Sequence, residues 1–132
     1  MEEPTSEEIR ILFMDDEDMI RDVAGQMFEI FGFHFDLVEE GQKAVDLYRR
    51  AMETNNPYDL VILDISVPYG WGAREAIKEL ISIDKNVKAV ISSGYQDDPM
   101  VLHHERYNFC GVIQKPYDIE EVEKAIRSLL SA

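Results

Sequence analysis

The reactive side chains of this sequence gather where its apolar runs end. Asp15 and Asp16 follow the run IRILFM, Asp64 closes DLVILD, Ser92 and Ser93 follow VKAVI, and Lys115 follows CGVIQ. If a sheet brings those ends together, one pocket holds three acids, a hydroxyl and an ammonium. Two carboxylates about 4 Å apart repel by about 4 kcal/mol at an effective dielectric of about 20. Either one takes up a proton or a cation neutralises the group. Mg²⁺ suits such a site, because it takes a couple of carboxylates, several waters and a phosphate oxygen. The sequence lacks the Asp-x-Asp-x-Asp-Gly loop that favours Ca²⁺. Lys115 adds a fixed positive charge, which is useful where an incoming group carries several negative oxygens. Phosphoryl transfer has that requirement, and a carboxylate nucleophile yields an aspartyl phosphate. Asp64, single and followed by a glycine turn, is the best acceptor, and Asp15 and Asp16 serve better as metal holders.

Taken singly, each residue has a plainer reading. An Asp at a strand end is usually a turn or cap residue, Lys115-Pro116 reads as a loop, and paired serines are ordinary turn hydroxyls. Their joint placement at four strand ends is what argues for a site.

Two alternating hydrophobic periods supply those ends. Residues 9–14 read as a buried strand. Residues 16–31 read as a helix, with Ile20, Val23, Ala24, Met27, Ile30 and Phe31 at three- and four-residue steps and Gly32 closing it. Residues 34–38 form a second strand. Ala44, Val45, Tyr48, Ala51 and Met52 mark a second helix, which Asn55-Asn56-Pro57 ends. Residues 59–64 form a third strand, and Ala73, Ala76, Ile77, Leu80 and Ile81 a third helix. A fourth strand covers 87–92. A fourth helix starts at Asp98 as N-cap with Pro99 in its first position. Residues 110–114 form a fifth strand, and Ile119, Val122, Ile126, Leu129 and Leu130 a last helix. Strands apolar on both faces and alternating with helices indicate a parallel sheet covered on both sides. The expected fold class is α/β, a doubly wound (βα)5 parallel five-stranded sheet of flavodoxin-like order 2-1-3-4-5. Its ligands bind beyond the carboxyl ends of strands 1 and 3.

A chain of 132 residues with 45% apolar content fits one domain, over 9–132, preceded by a flexible acidic tail at 1–8. A net charge of −14 argues against direct nucleic-acid binding, which needs Lys and Arg against phosphates. It fits basic partners or cations, or solubility alone. The single cysteine, Cys110, reads as a small core residue in the run Cys110-Gly111-Val112-Ile113 and excludes an internal disulfide. The start MEEPTSEE has no signal-peptide pattern, and no stretch is long enough to span a bilayer. A cytoplasmic protein with no membrane attachment of its own is expected.

With these residues in view, ILFMDDEDMIR, VILDISVP, ISSGY and GVIQKPY together resemble a response-regulator receiver domain (CheY-like) of two-component signalling, from about residue 10 to 130. The stretches VPYGWGAREAI and DDPMVLHHERYNFCGVIQKPY look most like receivers of hybrid sensor histidine kinases. The resemblance implies a phosphorelay module rather than a substrate-processing enzyme. In it Asp64 accepts a phosphoryl group from a phosphohistidine. It implies that Asp16 ligates Mg²⁺ (or Mn²⁺) directly, that Asp15 reaches it mainly through water, and that the Ser66 backbone carbonyl completes the set. Ser93 matches the switch hydroxyl, Lys115 the lysine that pairs with the phosphoryl group, and the bond to Pro116 is expected to be cis. The implied partner is a histidine kinase or a histidine phosphotransfer domain, docking on Met19, Ile20 and Tyr117. A homodimer through helix 4, strand 5 and helix 5 is also implied.

Some residues depart from that pattern. Val112 stands where many receivers have an aromatic that moves with the switch hydroxyl. Ser66 and Tyr95 occupy positions thought to tune phosphoryl lifetime, and Tyr69 and Trp71 are bulky enough to gate Asp64. Adjacent His103 and His104 point in different directions on a helix and make poor metal ligands, and His34 belongs in or beside strand 2. A dehalogenase-like phosphatase would want Asp-x-Asp-x-Thr after strand 1, and a flavin protein a Ser/Thr/Gly phosphate loop there. The sequence has Asp-Asp-Glu-Asp instead.

Overall fold

The computed structural model describes residues 5–65 and 70–131, apart from the side chain of Glu7. Five strands alternate with five helices: β1 Arg10–Met14, α1 Asp18–Phe31, β2 His34–Val38, α2 Gly41–Glu53, β3 Leu60–Asp64, α3 Ala73–Ile83, β4 Ala89–Ser93, α4 Pro99–Leu102, β5 Gly111–Gln114 and α5 Ile119–Ser131. All neighbouring strands are parallel, and the sheet order is β2-β1-β3-β4-β5. The chain reverses direction across the sheet between β1 and β3, which are hydrogen-bonded neighbours.

Period-two alternation sorts the strand residues into two cores. Leu12, Met14, Val61, Leu63 and Ile91 face α2 and α3, and Ile11, Phe13, Leu60, Ile62 and Val90 face α1 and α5. Each fully buried aliphatic or aromatic side chain contributes about 1.5–3 kcal/mol relative to exposure. These two layers therefore fix the register that sets Asp64 opposite Ser92. Away from the strand ends that carry the acids, the Tyr48 hydroxyl donates to Asp84 at 2.7 Å and the Tyr58 hydroxyl to Asp36 at 2.5 Å. Burial and these carboxylates hold both phenols well above the usual range.

Several sequence expectations shift. Helix α1 starts two residues later than expected, with Glu17 as its N-cap, and ends as expected at Gly32 in a left-handed conformation. Its buried face is Ala24, Met27, Phe28 and Phe31, so Val23 and Ile30 lie on the solvent flank beside Met19. Met52, in the last turn of α2, and Ile119, the first residue of α5, are likewise exposed. Asp98 does cap α4, accepting the Met100 amide at 2.9 Å with Pro99 following, but the helix is one turn long and a 3-10 turn, His104–Tyr107, follows it. Cys110 is exposed rather than in the core, since it sits just before β5, an edge strand; its thiol donates to Ala89 O at 3.4 Å. His34 is the exposed first residue of β2. Within the acidic stretch at 1–8, Ser6–Glu8 form a 3-10 turn, and Arg127 donates to Ser6 Oγ at 2.6 Å. Among the described residues, no helix is long and apolar enough to cross a membrane.

Candidate functional site

The carboxyl ends of β1 and β3 place Asp15 and Asp64 side by side, and β5 delivers Lys115 to both. Asp15 is fully buried and held on every side. Its N–H donates to Val38 O at 3.1 Å, its carbonyl accepts from Arg21 at 2.6 Å, and its Oδ1 accepts the Glu17 N–H at 2.9 Å. Asp64, the last residue of β3, is 5% exposed. The Lys115 N–H donates to Ser93 O at 2.9 Å, and its bond to Pro116 is cis. The Lys115 ammonium lies 2.7 Å from Asp15 Oδ2 and 3.2 Å from Asp64 Oδ1.

These charges perturb one another. Burial pushes the Asp64 carboxyl up to about 7, Asp15 and Asp16 push the same way, and Lys115 pulls against them. For Lys115 burial works against the ammonium, but the Asp15 hydrogen bond and the charges of Asp64 and Asp15 prevail, so it stays protonated above the usual range. Tyr117, two residues on, shares its hydroxyl with buried Ser92 Oγ at 2.5 Å, and its ring meets Phe13 edge-on. Burial pushes its phenol up to about 12, with Asp15 and Asp64 adding to the rise and Ser92 and Lys115 opposing it.

One lysine for several acids leaves the site short of positive charge. Asp15 Oδ2 is fully buried and meets the Lys115 ammonium at 2.7 Å, the same ammonium that Asp64 uses. Oxygens of Asp15, Asp16 and Glu17 lie within 4.8 Å of one another. Asp16, Glu17, Asp64 and Lys115 line one cleft of about 410 Å³ together with Ile65, Gly94 and Tyr95. A carboxylate-only donor set beside two buried acids that share one ammonium fits a hard divalent cation.

Asp15, Asp16, Asp64 and Lys115 are thus brought together. Ser93 is buried, but its hydroxyl faces its own loop: it accepts the Tyr95 N–H at 2.9 Å and donates to Tyr95 O at 3.3 Å. Ser93 and Tyr95 also line the neighbouring cleft, with Val112 and Val101. Ser66 and Tyr69 lie outside the described residues. Trp71 is half-buried and packs against the α2 and α3 core. Of Met19, Ile20 and Tyr117, only Met19 is freely exposed, at 78%, while Ile20 and Tyr117 pack against the α1 and α5 core. Sequence reasoning missed Glu17, although the acidic run 15–18 announces it, and it missed the Tyr117–Ser92 bond, which no local pattern signals.

Comparison with known proteins converges on this arrangement. Residues 11–127 match the model of the response regulator receiver domain. The chain is 28% identical over 121 residues to sporulation initiation phosphotransferase F of Bacillus subtilis, covering 92% of this chain and 93% of that protein. It is 29% identical over 130 residues to the chemotaxis protein CheY of Treponema pallidum, covering 98% and 88%. Of several longer relatives it spans only a quarter to a little over half. Its fold superposes with a TM-score of 0.82 on a chain of the CheX-CheY-BeF3-Mg+2 complex from Borrelia burgdorferi, at 24% identity over 92% of this chain and 88% of that one. By the extent of the family match and the position of its acids in the sheet, the chain belongs to the response regulator receiver domain family of two-component signalling.

Proposed function

We propose that Asp64 is the phosphoryl acceptor of a phosphorelay and that its phosphorylation switches protein contacts. The observation that carries this reading is the shared ammonium: Lys115 joins Asp64 and fully buried Asp15 in one cluster at the ends of β3 and β1. An Asp64 oxygen attacks phosphorus, the P–N bond of the partner's phosphohistidine breaks, and the imidazole leaves with the electron pair. Lys115 then turns from the carboxylates to the new phosphoryl oxygens, and Ser93 exchanges its bonds with Tyr95 for one to the same group. Held by Asp15, Asp16, Asp64 and the Ser66 backbone carbonyl, Mg²⁺, or Mn²⁺ in its place, would neutralise the acids and draw charge from the transferred oxygens. Two states with different loop arrangements after β3 and β4 carry the signal as a population shift. Water attack on the aspartyl phosphate resets it.

Partners read the molecule through its surface. Met19, Val23 and Ile30 form an exposed apolar flank on α1, which suits a helical histidine kinase or phosphotransfer domain. The face of α4, β5 and α5 is the candidate homodimer surface, and a cytoplasmic location follows from the kinase partnership. Acetyl phosphate with Mg²⁺ tests the chemistry. Wild type should gain one phosphoryl group by intact mass and Asp64→Asn none; equal labelling of both would remove Asp64 from the role.

A further inference from the structure

The N-cap of α2 is Glu40, an unusual choice, since Asp, Asn, Ser and Thr reach the first-turn amides with less side-chain freedom to lose. Its carboxylate accepts the Lys43 N–H at 2.9 Å and the Gln42 N–H at 3.1 Å, as a cap should. It also accepts the N–H of Trp71, 31 residues away, at 3.2 Å. The backbone answers in the other direction, with the Gly41 N–H donating to Trp71 O at 2.6 Å. Two glycines make room for this contact. A Cβ on Gly70, whose φ is +88°, would meet Glu40 Oε2 at 2.7 Å, and one on Gly41 would meet Trp71 O at 2.7 Å.

The contact joins both halves of the acid cluster. Glu40 lies two residues beyond Val38, whose carbonyl holds the Asp15 amide. Gly70 and Trp71 end the short loop that leaves Asp64, and the near end of that loop is fixed by the Ile65 N–H on Ser92 O at 3.2 Å. Bonds at Ile65 and at Trp71 thus fix the described residues on either side of 66–69 before a ligand arrives. We infer that Glu40 is a positioning residue: its carboxylate straps the loop after Asp64 to the start of α2 and so sets how tightly the site binds a divalent cation and a phosphoryl group. The extra methylene of Glu over Asp supplies the reach to Trp71 that a cap alone does not need. This rests on the phosphoacceptor reading above.

Glu40→Asp separates the two roles, because Asp caps a helix at least as well but falls short of the Trp71 amide. Glu40→Gln, of full length but with one accepting oxygen in place of two, is the second variant. Trp71 is the single tryptophan, so its fluorescence reads the strap directly. Wild type and both variants are titrated with Mg²⁺ in the presence of beryllofluoride, a phosphoryl stand-in, and melted without ligand. We expect affinity to drop about tenfold in both variants, as for lost outer-shell partners of a metal site. Trp71 emission should become more quenchable, and the melting temperature of Glu40→Asp should fall by no more than about 4 °C. Unchanged affinity in Glu40→Asp, or an affinity loss seen only alongside a larger fall in melting temperature, overturns the inference while leaving the phosphoacceptor reading intact. Wild type that binds neither ligand overturns that reading and the inference with it.

Discussion

Replacing Asp64 by Asn should stabilise the metal-free protein at neutral and alkaline pH, although it destroys the proposed acceptor. Asp64 is buried beside Asp15, with Lys115 shared between them, and its carboxyl sits at about 7 against an ordinary 3.8. In the unfolded chain the group loses its proton near the ordinary value, whereas in the folded chain it keeps it until about pH 7. The folded state therefore binds the extra proton in between. The stability linked to this group is fully present below the unfolded value and is lost as pH rises through the folded one. From 3.8 to about 7, at about 1.36 kcal/mol per pH unit, the loss reaches about 4 kcal/mol. Asn is nearly isosteric with the protonated acid and never ionises, so it escapes the loss. Urea melts with a chelator present should give similar stability for both proteins near pH 4 and an advantage of about 3–4 kcal/mol for Asp64→Asn near pH 8. Titrating groups remote from Asp64 are common to both proteins and cancel in the difference. Saturating Mg²⁺ should shrink the advantage by stabilising wild type more than the variant, which has lost one of the proposed ligands. An Asn variant no more stable than wild type at pH 8 without metal would refute the electrostatic picture of the site.

Three further outcomes follow from the same geometry. Asp16→Ala should weaken Mg²⁺ binding at least about tenfold by calorimetry; an unchanged affinity would exclude Asp16 as a ligand. Lys115→Met leaves two buried carboxylates without their cation and should cost the metal-free fold about 3–5 kcal/mol in urea melts. A loss under about 1 kcal/mol, the range of a surface pair, would mean that the ammonium is not the glue of the cluster. Tyr117→Phe strips the partner from buried Ser92 and should cost about 1–3 kcal/mol, and a thermal melt matching wild type would show that Ser92 finds another partner.

The sheet and its order could be read from the sequence because the strands are apolar on both faces and alternate with helical stripes. Leu60 to Asp64 is buried at every residue, and β3 ends on the acid that carries its chemistry. Helix ends and flanks were less legible. Val23 and Ile30 are apolar at helical spacing, yet they occupy the flank of α1 that the sheet does not cover, and periodicity alone does not say how wide the covered face is. Cys110 failed for a related reason, since an apolar run at an edge strand is buried on fewer sides than one in the middle. At the site, the acids and the lysine were visible because each follows an apolar run directly. The supporting contacts were not, because Glu40 with Trp71 and Ser92 with Tyr117 meet only through the tertiary fold. Ser93 was legible as a position, but its bonding to Tyr95 is a property of this loop conformation.

A crystal structure with Mg²⁺ and beryllofluoride tests the central claim most directly. It should show beryllium bonded to an Asp64 oxygen, the metal ligated by Asp16 and Asp64 with Asp15 beside it, and Lys115 and Ser93 turned to the fluorines. Beryllium on any other carboxylate, or a metal bound away from the ends of β1 and β3, would contradict it.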